Sequence, residues 1–168
     1  MQLPHSSKKS IDQDFGRIFA LREIDFDPKA LKFLKDAQAS LGSKPPRTLK
    51  GPMNRSLMHY AAMGNCPELL RYLLLNNEAV DARDRNKRTP LSWAAEYYSL
   101  DTVKILLDNG AKINSADDMY TTPLSWLIHA GRAGADTQHE LTKTFLISKG
   151  AREKGFKRRW VLKKFGMF

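Results

Sequence analysis

The sequence predicts an all-α stack of about three helix-turn-helix units, closed at either end by non-repeat segments. Three observations carry that expectation. Blocks of sequence recur at a spacing of 33 residues, each block reads as two short helices joined by a turn, and apolar-periodic stretches flank the blocks on both sides.

The recurrence is specific. Ala61-Ala62 returns as Ala94-Ala95, and Thr89-Pro90-Leu91-Ser92-Trp93 returns as Thr122-Pro123-Leu124-Ser125-Trp126. Leu73-Leu74 matches Leu106-Leu107, and Val80-Asp81-Ala82 matches Ile113-Asn114-Ser115. Four matches at one period mark an internal repeat.

Within the middle unit, Thr89 has the chemistry of an N-cap, and Pro90 falls at the first helical position, where its missing N–H costs nothing. Leu91, Ala94 and Ala95 make a short apolar face whose small alanines allow close helix approach. A second helix is expected from about Leu100 to Asn109. Asp101 stands near its positive end, Val103, Leu106 and Leu107 form its apolar stripe, and Gly110 closes it in a left-handed conformation. In the first unit the second helix starts at Cys66-Pro67-Glu68, and Asn77 stands where the closing glycine belongs.

These residues resemble an ankyrin repeat. The resemblance is carried by Thr89-Pro90-Leu91-Ser92-Trp93-Ala94-Ala95 and by the stretch from Val103 to Asn114, and it extends over roughly residues 51–155. It implies units of about 51–83, 84–116 and 117–155, with hairpin fingers between them. Ser92 replaces the family's histidine, whereas the first unit keeps it as His59 but lacks the proline. Tyr98 replaces a glycine the family prefers between the two helices. The third unit departs further: Gly150-Ala151 follows Gly110-Ala111 by 40 residues, so seven extra residues fall near 131–138. Thr137 and Glu140 have capping-box spacing, so part of that insertion is expected to lengthen the following helix.

Residues 1–50 carry two further helical patterns. Ser10 and Gln13 are placed to cap a helix bearing Ile11, Phe15, Ile18 and Phe19. Asp27-Pro28 opens another with Leu31, Leu34 and Leu41, stopped by Gly42. They read as an N-terminal cap or a degenerate repeat, because an array leaves a raw apolar face at each end. Residues 156–168 read as a matching C-terminal cap or as a basic tail.

Charge is distributed unevenly around a net of +10. Residues 1–53 hold 10 basic and 6 acidic side chains, residues 54–118 hold 8 and 9, and residues 119–168 hold 10 and 3. The C-terminal excess includes Lys157, Arg158, Arg159, Lys163 and Lys164, interleaved with Phe156, Trp160 and Phe165. Besides capping, such a stretch suits nuclear import, an acidic partner, nucleic acid or an anionic membrane. No apolar run approaches the length of a spanning helix, the N-terminus lacks a signal-peptide pattern, and a single cysteine, Cys66, excludes an internal disulfide framework. An intracellular location, cytoplasmic or nuclear, is the expectation, as is a monomer.

Catalytic patterns are missing. The sequence has no phosphate-binding glycine loop with its lysine, no Gly-x-Ser-x-Gly and no His-Glu-x-x-His. His59, His129 and His139 share no ligand spacing with Cys66, so no enzyme, metal or cofactor is expected, and His59 is expected to bond nearby backbone.

Binding to a protein partner through a concave groove and the fingers is what the resemblance implies. By register, the variable positions are Arg85, Asn86, Arg88, Glu96 and Tyr97 in the middle unit. They correspond to Pro52, Met53, Arg55, Met63 and Gly64 in the first, and to Asp118, Met119, Thr121, His129 and Ala130 in the third. The same register aligns Tyr60, Trp93 and Trp126 in a column that either faces the groove or packs between inner helices. Tyr97 and Tyr98 stand open between a partner anchor and a filler beside the insertion. The run from Arg83 to Arg88 makes one finger basic, beside the acidic Asp117-Asp118.

Overall fold

Each repeated unit begins where a hydroxyl side chain ends a hairpin and a helix starts. In the computed structural model, which describes residues 5–25, 27–41, 50–131 and 136–154, Thr89 caps helix α6 (Pro90–Glu96) by accepting from the Ser92 N–H at 3.3 Å. A three-residue turn leads into α7 (Leu100–Asp108), and Gly110 leaves it at φ +83°. The first unit repeats this plan as α4 (Leu57–Met63) and α5 (Pro67–Leu75), with Asn77 at φ +60° in place of the glycine. The third unit has α8 (Pro123–Ala130) and α9 (Thr137–Ser148).

The inner helices α4, α6 and α8 pack side by side, and the outer helices α5, α7 and α9 form a second layer behind them. Ala61, Ala62, Ala94 and Ala95 are fully buried between the inner helices, where a larger side chain would hold the backbones apart. Leu69, Leu70, Leu106 and Leu146 close the space between the layers.

The extra residues of the third unit are divided. Compared with the middle unit, α8 is longer by one residue, the turn by three and α9 by three. The capping residue of α9 is Asp136, not Thr137: its carboxylate accepts from the His139 N–H at 2.8 Å. A charged oxygen at the positive end of a helix prevails over a neighbouring hydroxyl.

Among the described residues three helices precede α4: α1 (His5–Phe19), the single turn α2 (Arg22–Asp25) and α3 (Pro28–Ser40). α3 starts as the sequence predicts, with Asp27 accepting from the N–H groups of Lys29 and Ala30. α1 does not. It runs from His5, so Ser10 and Gln13 lie inside it rather than at its cap. A mid-helix serine costs only about half a kcal/mol, little against the burial of Ile11, Phe15 and Ile18 on the first unit.

α1 also supplies a cap in trans. The Asp14 carboxylate accepts from the Leu69 N–H at 2.9 Å, an otherwise orphaned donor in the first turn of α5. One unit later, Asn65 does the same for the Thr102 N–H of α7 at 3.2 Å. Between α3 and α4, the ring of Phe33 lies 5.7 Å from that of Tyr60, and Gly51 is required because a Cβ there would come within 2.8 Å of Phe33. Gly42 and the connector after it lie outside the described residues.

Candidate functional site

The hairpin fingers are built on one plan. Gly51, Asp84 and Asp117 each donate their N–H across the hairpin to Arg55, Arg88 and Thr121, at 2.8, 3.1 and 3.2 Å. The residue before each return is left-handed: Asn54, Lys87 and Tyr120 at φ 58°, 59° and 62°. Neighbouring fingers are joined, since Arg85 N–H donates to Met53 C=O and Asp118 N–H to Asn86 C=O, at 2.8 and 3.1 Å. With the backbone spent on this ladder, side chains do the presenting.

Two buried aspartates lock fingers to helices. One Asp84 oxygen accepts from the N–H groups of Asn86 and Arg88, and the other from the Trp93 indole N–H at 3.0 Å. Asp117 repeats this with Met119, Thr121 and the Trp126 indole, the last at 2.7 Å. The sequence reading treats both aspartates only as finger charges and misses this locking role. The available signal is an acidic residue nine positions before Trp93 and before Trp126, at the repeat period.

Arg88 is part of the same construction, which corrects its expected place among the groove and finger positions open to a partner. Only 5% of the residue is exposed. Its guanidinium lies 3.7 Å from the Trp93 ring centroid and 4.0 Å from that of Trp126, and it pairs with Glu96 and bonds Ser92. Arg55 covers the other face of Trp93 at 4.1 Å. An inner-helix column that alternates rings and guanidinium groups needs its arginines inside. Thr121 and Met63 are corrected likewise: both are buried, Thr121 in Arg88's register and Met63 inside α4's packing.

The aromatic column therefore packs between inner helices. Tyr60 and Trp93 are buried and Trp126 is half-buried at the far end. Tyr98 serves the enlarged third unit. At φ 57° its ring meets His139 edge-on at 5.1 Å, and its carbonyl accepts from the Thr142 hydroxyl at 3.3 Å. Tyr97 is half-buried against Trp93, with ring centroids 6.3 Å apart.

The remaining predicted positions reach the surface. Arg85, Asn86, Asp118, Met119, His129 and Met53 are exposed, while Glu96, Arg55, Pro52, Gly64 and Ala130 are half-buried. The finger tips also expose Lys87, part of the basic run read from sequence, and Tyr120, which sequence reasoning missed and which is 56% exposed. The basic finger is less basic than its sequence. Asp84 and Arg88 are interior, and Arg83 bonds the Ala116 carbonyl and Ser115, leaving Arg85 and Lys87 as its exposed cations without an ion pair among the described residues. Lys157, Arg158, Arg159, Lys163 and Lys164 lie outside the described residues.

His59 is structural. Its Nδ1 accepts from the Ser56 N–H at 3.1 Å, so the proton sits on Nε2, which donates to the Arg88 carbonyl at 3.3 Å and ties two units together. Burial pushes its pKa down to about 4. Cys66 is buried, with its thiol directed to the Asp14 carbonyl at 3.1 Å, and burial pushes the thiol's pKa up. Among the described residues no helix is long and apolar enough to cross a membrane.

Stacked helix pairs, a two-layer core and laddered hairpin fingers define a repeat solenoid. The chain belongs to the ankyrin-repeat family: the model for ankyrin repeats (3 copies) matches residues 20–117. That span begins before the resemblance read from sequence and ends before α8, which nevertheless stacks on α6 as α6 stacks on α4. No curated protein matches the chain. Ankyrin repeats are generally protein–protein interaction modules.

Proposed function

We propose that this protein holds a partner protein against its finger tips and the adjoining groove, and catalyses no reaction. One observation carries the reading. The tips present Met53, Met119 and Tyr120 around the exposed cations of Arg85 and Lys87, on a backbone already locked by its own hydrogen bonds. Apolar anchors beside fixed charges supply affinity and orientation together, and a rigid platform loses little entropy on binding. Tyr97, Glu96 and His129 line the approach from the inner helices.

The test is affinity capture from cell extract at low and high salt, with the parent chain beside an Arg85→Glu, Met119→Ala double variant. A protein retained at high salt by the parent and lost by the variant is the expected result. Recovery of only nucleic acid or lipid, removed by salt and indifferent to these substitutions, would overturn the reading in favour of the basic C-terminal residues.

A further inference from the structure

The turns that join inner to outer helices lie at the opposite ends of the inner helices from the fingers, and they are not alike. In the first unit the turn residue is Asn65, at φ 49°. Its amide oxygen accepts from the Thr102 N–H at 3.2 Å and its amide nitrogen donates to Asp101 at 3.1 Å, which closes the seam between this turn and α7.

Tyr98 stands in the same register one period later, at φ 57°, and sends its ring to His139 instead. By the 40-residue offset of Gly150 from Gly110, the residues of α9 aligned with Asp101 and Thr102 are Leu141 and Thr142. Thr142 bonds the Tyr98 carbonyl, but Leu141 has no polar group to bond the turn and is 49% exposed. In this alignment α9 also starts three residues before α7, an overhang of about 4.5 Å.

The seam between α7 and α9 is therefore open. A cleft of about 400 Å³ lies at its turn end, walled by Tyr97, Tyr98, Asp101, Asp136 and Leu141. A second cleft, of about 490 Å³, continues between the two outer helices, and the two share Leu100 and Leu141. Phe145 lines the second, with the ammonium groups of Lys104 and Lys149 at 5.8 and 5.5 Å from its ring centroid.

Charge is sorted along this groove. At the turn end Asp101 bonds the Asn65 amide and Asp136 bonds the His139 N–H, and neither carboxylate has an ion pair among the described residues. No lysine or arginine lines that cleft among the described residues. Burial pushes the Tyr98 phenol's pKa up, and the carboxylates of Asp136 and Glu96 add to it, so the local field is negative although the chain carries +10.

We infer that the groove between α7 and α9 is a second partner surface, and that it takes a partner-protein segment bearing a basic side chain beside a bulky apolar one. The cation meets Asp101 and Asp136 against the tyrosine rings, and its stem and the apolar neighbour cover Leu100, Leu141 and Phe145. Charge complementarity selects this occupant, because an anionic segment would face two carboxylates with no cation to offset them. The surface is independent of the finger tips, from which α6 separates it.

Amide chemical shifts of the full chain test the inference during addition of the capped tetrapeptide Ala-Arg-Leu-Ala, with Ala-Glu-Leu-Ala as control. An Asp101→Asn/Asp136→Asn variant removes both charges but keeps an oxygen for each hydrogen bond, and asparagine caps a helix as well as aspartate does. The arginine peptide should give saturable shifts confined to residues 97–101 and 136–145. The double variant should weaken its binding by about tenfold, added salt should weaken it too, and Leu141→Ala should cost several-fold. The finger variant Arg85→Glu/Met119→Ala should bind the peptide as the parent does. Absent shifts in the groove, equal shifts with the glutamate peptide, or unchanged affinity in the double variant would sink the inference. A parent dimer that the double variant dissociates, read by sedimentation, would give the groove to a second copy of the chain and overturn the assignment to a partner.

Discussion

The guanidinium of Arg88 lies 3.7 Å from the ring centroid of Trp93, inside the column where a groove residue was expected. Its other face meets Trp126, and Glu96 neutralises it at the column's edge. The same side chain joins the middle unit to the third.

Replacing Arg88 should therefore cost stability rather than partner binding alone. Arg88→Ala uncovers two ring faces and strands the carboxylate of Glu96, at about 3 kcal/mol. Arg88→Lys should recover only part, since an ammonium cannot stack as a plane between two indoles. Urea unfolding midpoints of the two variants measure both effects.

His59 makes stability pH-dependent. Its folded pKa, about 4, lies below the ordinary 6.5, so the unfolded chain binds the extra proton between those values. The contribution is complete above pH 6.5 and is lost as pH falls toward 4, a total on the order of 3 kcal/mol. His59→Ser installs the residue found at positions 92 and 125. It should lower stability at neutral pH yet flatten this slope, as thermal unfolding across pH 4 to 7 will read.

Asp14 holds α1 to the first unit through the Leu69 N–H, over the buried Cys66. Asp14→Ala should cost about 1–2 kcal/mol. It should also let a thiol reagent reach Cys66 faster than in the parent, whose thiol is both covered and kept protonated by burial. A labelling rate equal to the parent's would show that α1 is held by its apolar face alone.

Gly131 is fixed by His139. A Cβ at 131 would lie 2.1 Å from His139 Nε2, and His139 is only 4% exposed. Gly131→Ala should destabilise by about 1–3 kcal/mol. In a His139→Ala background most of that cost should vanish, giving a clear non-additivity in a double-mutant cycle.

Much of the architecture is legible in the sequence, because its signals act over a few residues. A threonine before proline starts a helix, leucines at helical spacing give it a buried face, and glycine or asparagine ends it. The 33-residue recurrence then copies the unit along the chain. Local cues misled where tertiary contacts outweighed them, as at Ser10, taken into α1, and at Thr137, displaced as cap by Asp136.

The class of fold follows from local pattern alone: repeated helix pairs, their order and their approximate ends. Which side chains the stack buries was decided only by tertiary structure. Arg85 and Arg88 are three residues apart in one basic run, yet one is exposed while the other is enclosed between two indoles. Burial of a charge depends on partners distant along the chain, here Trp126 from the next repeat and Glu96 at the far end of the unit's own inner helix. A periodic pattern specifies the unit, but the enclosure exists only once neighbouring units are in place.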